Sequence, residues 1–181
     1  YGADATRWFL LSDSPPERDL EWSQNGIEGA WRFVNRVWRL VTSAGGAEGA
    51  DPALARRQAR AVAGVAEDIE ALAFNKAVAK LYEFVGAIEK APPSADRNAA
   101  VRVLVALVAP MIPHLAEEAW ERLGGTGLVA DAEWPGFDPT LLVEDEVTIA
   151  VQINGKLRDT LTVARGEARE TLEAKALAAP N

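Results

Sequence analysis

Apolar residues recur at three- and four-residue spacing from the start of the chain to about Leu123, then switch to strict alternation near Val147. The first period is that of amphipathic helices and the second that of a half-buried strand. A short helix is predicted behind Asp4 as N-cap, carrying Trp8, Phe9 and Leu11, and Pro15-Pro16 forbids its continuation. Ser23 caps the next, whose stripe is Ile27, Ala30, Trp31, Val34, Val37, Trp38 and Val41. Asp51-Pro52 starts a long third helix with Leu54, Val62, Val65, Ala66, Ile69 and Leu72 on its apolar side. Asn75 is read as the cap of a fourth, running to about Lys90 with Val78, Leu81, Tyr82, Val85 and Ile88 inward. Pro92-Pro93-Ser94 breaks it. A strongly apolar fifth helix, Ala95 to Ala109, belongs at the centre of a bundle. Pro110 and Pro113 force a break before a sixth, His114 to Leu123, which Gly124-Gly125 ends.

Beyond Trp134-Pro135, Val147, Ile149, Val151 and Ile153 alternate with polar or small residues, Asn154-Gly155 marks a turn, and Leu157 to Val163 returns. A two-residue turn would set Ile153 opposite Lys156 and mix the faces. A three-residue loop ending at a left-handed Gly155 puts odd residues opposite odd, so that Val147, Ile149, Val151, Leu157, Leu161 and Val163 share one face. That bulged hairpin is the expectation. A last helix follows, Arg169 to Ala178, stopped by Pro180. A lone hairpin is marginal in water, so this tail is expected to be the beginning of a second domain. The predicted fold is mainly α: a helical bundle followed by a small, truncated α+β segment with a β-hairpin. The expected divisions are a joint over 1–22, the bundle over 23–143 and the tail over 144–181.

Charge narrows the possible chemistry. The 181 residues carry a formal net charge of −8, which argues against indiscriminate nucleic-acid binding but leaves room for a confined basic patch. Such a patch is available on the second helix, where Arg32, Arg36 and Arg39 point nearly the same way. A row of guanidinium groups can track a phosphate backbone; it can equally be a solvated face, with Glu28 and Arg32 as an i,i+4 pair. Arg56, Arg57 and Arg60 form a second cluster, read as solvated. His114 is the single histidine and has no metal partners at ligand spacing, so it is assigned a structural role at a helix start. Glu117, Glu118 and Glu121 are read as solvated helix charges. Absence of cysteine excludes disulfides and thiolate metal sites, and no apolar run reaches the ~20 residues of a membrane span. The Ala44 to Ala50 loop is glycine-rich but lacks the lysine and strand-to-helix setting of a phosphate-binding loop.

Five segments carry a resemblance to the leucyl-tRNA synthetase family of class I enzymes. YGADATRWFLLSDSPPERDLEWS (Tyr1 to Ser23) resembles the segment that follows the KMSKS loop. GIEGAWRFVNRVWRL (Gly26 to Leu40) is similar to the first long helix of the anticodon-binding domain, and EDIEALAFNKAVAKLYE and LVAPMIPHLAEEAWERLG to later ones. VQINGKLRDTLTV, from Val151, resembles the opening of the small C-terminal domain of bacterial members. The bundle is shared in outline with the valyl, isoleucyl and methionyl enzymes, whereas DLEWS joined to the arginine-bearing helix is closer to the leucyl type.

The resemblance implies that the parent enzyme attaches leucine to tRNA(Leu) through leucyl-adenylate, using ATP and magnesium, and edits mischarged tRNA in a separate domain. The HIGH and KMSKS motifs are absent from this chain, so it carries over no catalytic residue, no cofactor site and no metal site. What it implies here is tRNA positioning through backbone and shape, with Arg32, Arg36 and Arg39 on the bundle and Lys156 and Arg158 at the hairpin as the candidate contacts. The implied partners are the tRNA(Leu) backbone and the catalytic and editing domains of the same enzyme. A monomer in the cytoplasm, with no membrane contact, is expected. The alternatives are the same domain of a valyl or isoleucyl enzyme and a helical protein-interaction module that binds no RNA.

Overall fold

Three polar side chains open helices where the pattern placed them. Ser23 Oγ accepts from Gly26 N–H at 3.1 Å, Asp51 Oδ1 from Leu54 N–H at 3.0 Å and Ser94 Oγ from Arg97 N–H at 3.1 Å. Each satisfies one of the donors that a helix start leaves unpaired. The computed structural model describes residues 1–12, 18–46, 48–143, 146–153 and 156–178. Those residues form α1 (Ala3–Ser12), α2 (Gln24–Thr42), α3 (Pro52–Glu70), α4 (Phe74–Lys90), α5 (Ala95–Val108), α6 (Pro113–Arg122), strands β1 (Glu146–Ile153) and β2 (Lys156–Ala164), and α7 (Arg169–Ala178). Short 3₁₀ turns at Val129–Asp131 and Pro139–Leu142 follow α6. The predicted Pro15-Pro16 break and the Asn154-Gly155 turn lie outside the described residues.

Tyr1–Leu141 forms one compact unit. Its core is mostly aliphatic, and α5 packs against α2, α3, α4 and α6 with Val101, Leu104, Val105, Leu107 and Val108 buried. An apolar helix can sit at the centre because its neighbours cover it on more than one side. The first element belongs to this core as well. Trp8 is fully buried, stacks on Phe33 with ring centroids 3.9 Å apart and meets the edge of Tyr82. Phe9 lies so close to Gly26 that a Cβ there would stand 2.4 Å from its ring. Gly26 therefore lets α1 close onto the first turn of α2.

Several local expectations are corrected. Asp4 lies inside α1, and its carboxylate caps α6 across the bundle rather than its own helix. Asn75 is not a cap: α4 starts two residues earlier than such a cap would place it, at Phe74 behind Ala73, with no side-chain cap. On α2 the buried side is Ile27, Ala30, Phe33, Val37, Leu40 and Val41. Trp31 is 46% exposed and Trp38 half-buried, because the inward face is rotated toward Phe33 and its stack with Trp8.

Leu72 does not continue the α3 stripe. It is exposed, sits in the turn after α3 at φ 57°, and donates its N–H to Ile69 O at 3.0 Å. Left-handed backbone costs a residue with a Cβ about 1–2 kcal/mol, and glycine gives back about 0.5–1 kcal/mol of that through its freer unfolded chain. Leu72→Gly is expected to stabilise by about 0.5 kcal/mol, raising Tm by roughly 1–2 °C. A thermal melt that is unchanged or lower would show that the turn holds no such strain.

The second unit, from Leu142, contains the antiparallel β1–β2 pair and α7, which packs on β2. Ile153 pairs with Lys156, so the three-residue loop is overturned. The extra residue lies further along: Gln152 pairs with Leu157 but Val151 with Asp159, leaving Arg158 as the bulge. From there outward the odd-to-odd register holds, with Ile149 opposite Leu161 and Val147 opposite Val163. Leu157 drops out of that set and stands opposite Gln152 in the ladder. The bulge thus does what was assigned to the turn, shifting the pairing by one residue so that the apolar positions coincide.

Candidate nucleic-acid interface

The helical period brings Arg32, Arg36 and Arg39 to one side of α2, but the three are not equivalent. Arg36 is held in a fork by Glu89 of α4, with Nε 3.0 Å from Oε1 and Nη2 2.7 Å from Oε2. The hydrogen bonds from Arg36 hold the Glu89 carboxyl below its ordinary range, and the charges of Arg36 and Arg39 add to this. The same bonds raise Arg36. Both partners are partly exposed, so the pair contributes at most about 1 kcal/mol to stability. Its larger consequence is electrostatic: the middle charge of the row is neutralised. Arg32 and Arg39 are exposed and form no ion pair among the described residues. The expected Glu28–Arg32 pair is absent; Glu28 instead accepts from the Tyr1 hydroxyl at 3.3 Å and Gln24 Nε2 at 3.2 Å. Sequence spacing could not have shown Glu89, which lies far along the chain.

Other basic groups separate by role. Arg56 and Arg57 are exposed at the start of α3. Lys80 reaches across from α4 to Asp68 and to Gly64 O, the latter at 3.1 Å, and so ties α3 to α4. Arg57 and Arg60 border a cavity of about 200 Å³ beside Lys80 and Glu83. Arg102 lies over the Trp120 ring at 4.4 Å and Arg122 over Trp38 at 5.7 Å, two contacts no spacing rule suggested. Arg102 also donates to Leu123 O at 2.8 Å, satisfying a carbonyl at the end of α6.

Asp4 accepts from Leu115 N–H at 2.6 Å and His114 N–H at 3.4 Å, and its Oδ1 lies 2.8 Å from His114 Nδ1. His114 therefore stands at a helix start in a structural contact, as expected. Arg7, one turn on, donates to Met111 O at 2.9 Å and Pro110 O at 3.0 Å, so α1 is pinned to the α5–α6 corner at two points. Glu117 is not a solvated charge: it accepts from Val129 N–H and Ala130 N–H at 2.8 and 3.2 Å and caps the 3₁₀ turn. Glu118 and Glu121 are exposed. No group of three or more histidine, aspartate and glutamate side chains able to hold a metal occurs among the described residues.

In the second unit, Arg158 is exposed at the bulge and Lys156 opens β2. No described helix is long and apolar enough to cross a membrane.

Residues 51–174 match the family described as "Anticodon-binding domain of tRNA ligase". The chain is 66% identical over 177 residues to the leucine–tRNA ligase of Rhizorhabdus wittichii, covering 98% of this chain and 21% of that protein. It is 62% identical to that of Sphingopyxis alaskensis, over 99% of this chain and 22% of that one. The fold resembles a chain in the crystal structure of the ternary complex of Agrobacterium radiobacter K84 agnB2 LeuRS with tRNA and LeuAMS. That likeness has a TM-score of 0.77 and 31% identity over 99% of this chain and 25% of that one. The chain spans about a fifth of the length of the curated relatives it matches.

Proposed function

The chain belongs to the family of anticodon-binding domains of tRNA ligases, and from that premise we propose that it is the tRNA-positioning portion of a leucine–tRNA ligase. The observation that carries the reading is identity to leucine–tRNA ligases along 98% of the chain. In this reading the whole enzyme attaches leucine to tRNA(Leu) through leucyl-adenylate, with ATP and magnesium, and edits mischarged tRNA. Its nucleotide and metal chemistry belongs to other domains, and no step of it is routed through the residues here. The partners are the tRNA(Leu) backbone and those catalytic and editing domains, in a monomeric cytoplasmic enzyme. The helical part extends to about residue 143 and the tail begins the C-terminal tRNA-binding domain.

The residues proposed to touch RNA are Arg32, Arg36, Arg39, Lys156 and Arg158. Arg32 and Arg39 have guanidinium groups free to bind phosphate in a two-pronged geometry. Arg36 would contribute only after exchanging Glu89 for a phosphate. The acidic body confines binding to such patches, which predicts weak, steeply salt-dependent affinity.

Fluorescence anisotropy of a tRNA(Leu) transcript titrated with the 181-residue chain tests this. Changing Arg32, Arg36 and Arg39 together to Ala is expected to weaken binding about tenfold or more and to flatten the salt slope by about two. Glu89→Gln is expected to strengthen binding by about two- to threefold, because it releases Arg36 and removes a like charge from the phosphate path. Unchanged affinity in the triple variant would remove α2 from the interface. Retention of a protein partner with no RNA bound at low salt would favour a protein-interaction module.

A further inference from the structure

The α2 face that carries the exposed Trp31 and the half-buried Trp38 is the part of the bundle left without a role. Trp31, Asn35 and Trp38 follow one another at helical spacing, and Trp31 is 46% exposed. Asn35 Nδ2 is occupied by Trp31 O at 2.8 Å, which leaves the two indoles as the active groups of the stripe. Beside Trp38 the end of α6 brings Arg122, and beyond it α5 brings Arg102. Between the end of α2, α5 and the end of α6 runs an open groove of about 430 Å³ bordered by Gly45, Asn98, Arg102 and Arg122. Asn98 Oδ1 accepts from Gly45 N–H at 3.1 Å and holds the loop after α2 against α5.

Each guanidinium lies over an indole, which fixes the orientation of a side chain that would otherwise lose much freedom on binding. Arg122 is exposed, and Arg102 commits one Nη to Leu123 O. Further donors on both remain. The acids of α6 do not border this groove: Glu117, Glu118 and Glu121 line a different cavity with His114 and Leu128. Of the charged α6 residues, Arg122 borders the groove, although Glu118 stands one turn before it on the helix. Two guanidinium groups oriented by indoles at a groove, with the exposed Trp31 indole two turns before Trp38 on α2, are the elements that bind a phosphodiester backbone and an unstacked base.

We propose that Arg122 and Arg102, seated on Trp38 and Trp120, form a second RNA-backbone contact at this end of the bundle, with Trp31 as a stacking surface. The proposal rests on the tRNA-binding reading and adds to it a site outside the Arg32–Arg39 row. An acidic protein is the competing occupant; the exposed indole, which gains little from a carboxylate but stacks on a base, favours RNA.

The test is titration of the full chain, and of its Arg122→Ala, Arg122→Lys and Trp31→Ala variants, into labelled tRNA(Leu) over a series of salt concentrations. Arg122→Ala is expected to weaken binding about three- to tenfold and to flatten the salt slope by about one. Arg122→Lys is expected to keep the slope but recover only part of the affinity, since lysine keeps charge and loses the planar fork. Trp31→Ala is expected to weaken binding without changing the slope. Thermal melts of these exposed-site variants are expected to match the parent. If the parent binds and Arg122→Ala binds as well, the second contact is overturned while the tRNA reading stands. No binding by the parent at low salt overturns both. Polyaspartate displacing tRNA in an Arg122-dependent way, at equal charge concentration, would assign the groove to acidic protein instead.

Discussion

Trp8→Ala is expected to destabilise the helical unit by about 3–5 kcal/mol, the range for removing a large aromatic from a packed core. Trp8 has no exposed surface, lies flat on Phe33 with an interplanar angle of 8°, and donates its indole N–H to the Tyr82 hydroxyl at 3.4 Å. Tyr82 in turn packs on Phe33 with centroids 4.5 Å apart. The indole therefore joins α1, α2 and α4 in one aromatic cluster, and its loss leaves a cavity bordered by two rings that cannot both collapse into it. Domains of this size hold about 5–15 kcal/mol in total, so the variant should sit near the edge of folding. Trp8→Phe should recover about half of the loss by refilling the stack without the N–H. Urea unfolding followed by helical circular dichroism measures both. A loss below about 1 kcal/mol for Trp8→Ala would mean that α1 is peripheral to the bundle and that its burial contributes little.

That cluster also shows where the sequence was readable. Ser23 and Asp51 identified helix starts because a cap is settled within four residues, and each makes the bond its position implies; Ser94, read only as part of the Pro92-Pro93-Ser94 break, caps α5 in the same way. Asp4 has the same local signature, yet its carboxylate is taken by α6, whose start lies at the other end of the unit in sequence. On α2, apolar side chains occupy more of the circumference than one neighbour can cover: Ile27, Ala30, Trp31, Phe33, Val34, Val37, Trp38, Leu40 and Val41. Periodicity finds such a helix but not which edge turns inward. The stack of Phe33 on Trp8 decides it, and Trp31 is left outside.

The same limit governs the interface residues. The arginine row follows from helical geometry alone, whereas its inequality follows from Glu89 on α4, a partner that no spacing on α2 reveals. In the hairpin, the alternation of apolar residues demanded one extra residue in the ladder. It could not say whether that residue stood in the turn or at Arg158, because either restores the match between Val147, Ile149 and their partners. The family segments were readable for a different reason: they are whole runs of sequence, and their match does not depend on knowing which side chains meet.

Asp4→Ala is expected to destabilise by about 2–4 kcal/mol, more than removal of a surface carboxylate, which usually changes stability by about 0.5 kcal/mol or less. The carboxylate is buried and accepts two N–H groups from the first turn of α6. Its negative charge also lies at the positive end of that helix. Truncation leaves the Leu115 donor in a pocket that water reaches poorly, and it removes one of two polar links between α1 and the α5–α6 corner, the other being Arg7 with the Pro110 and Met111 carbonyls. Asp4→Asn should lose less, about 1–2 kcal/mol, since the amide oxygen can still serve one N–H while its NH₂ must find other partners. His114→Ala separates the cap from the imidazole contact. The His114 side chain is 74% exposed, so water replaces its partner and the expected loss is below about 1 kcal/mol. Midpoint shifts in urea at constant slope should therefore be largest for Asp4→Ala, smaller for Asp4→Asn and smallest for His114→Ala, the signature of a carboxylate acting as a helix cap. Equal losses for Asp4→Ala and His114→Ala would instead make the aspartate–histidine pair the working contact and the backbone bonds incidental.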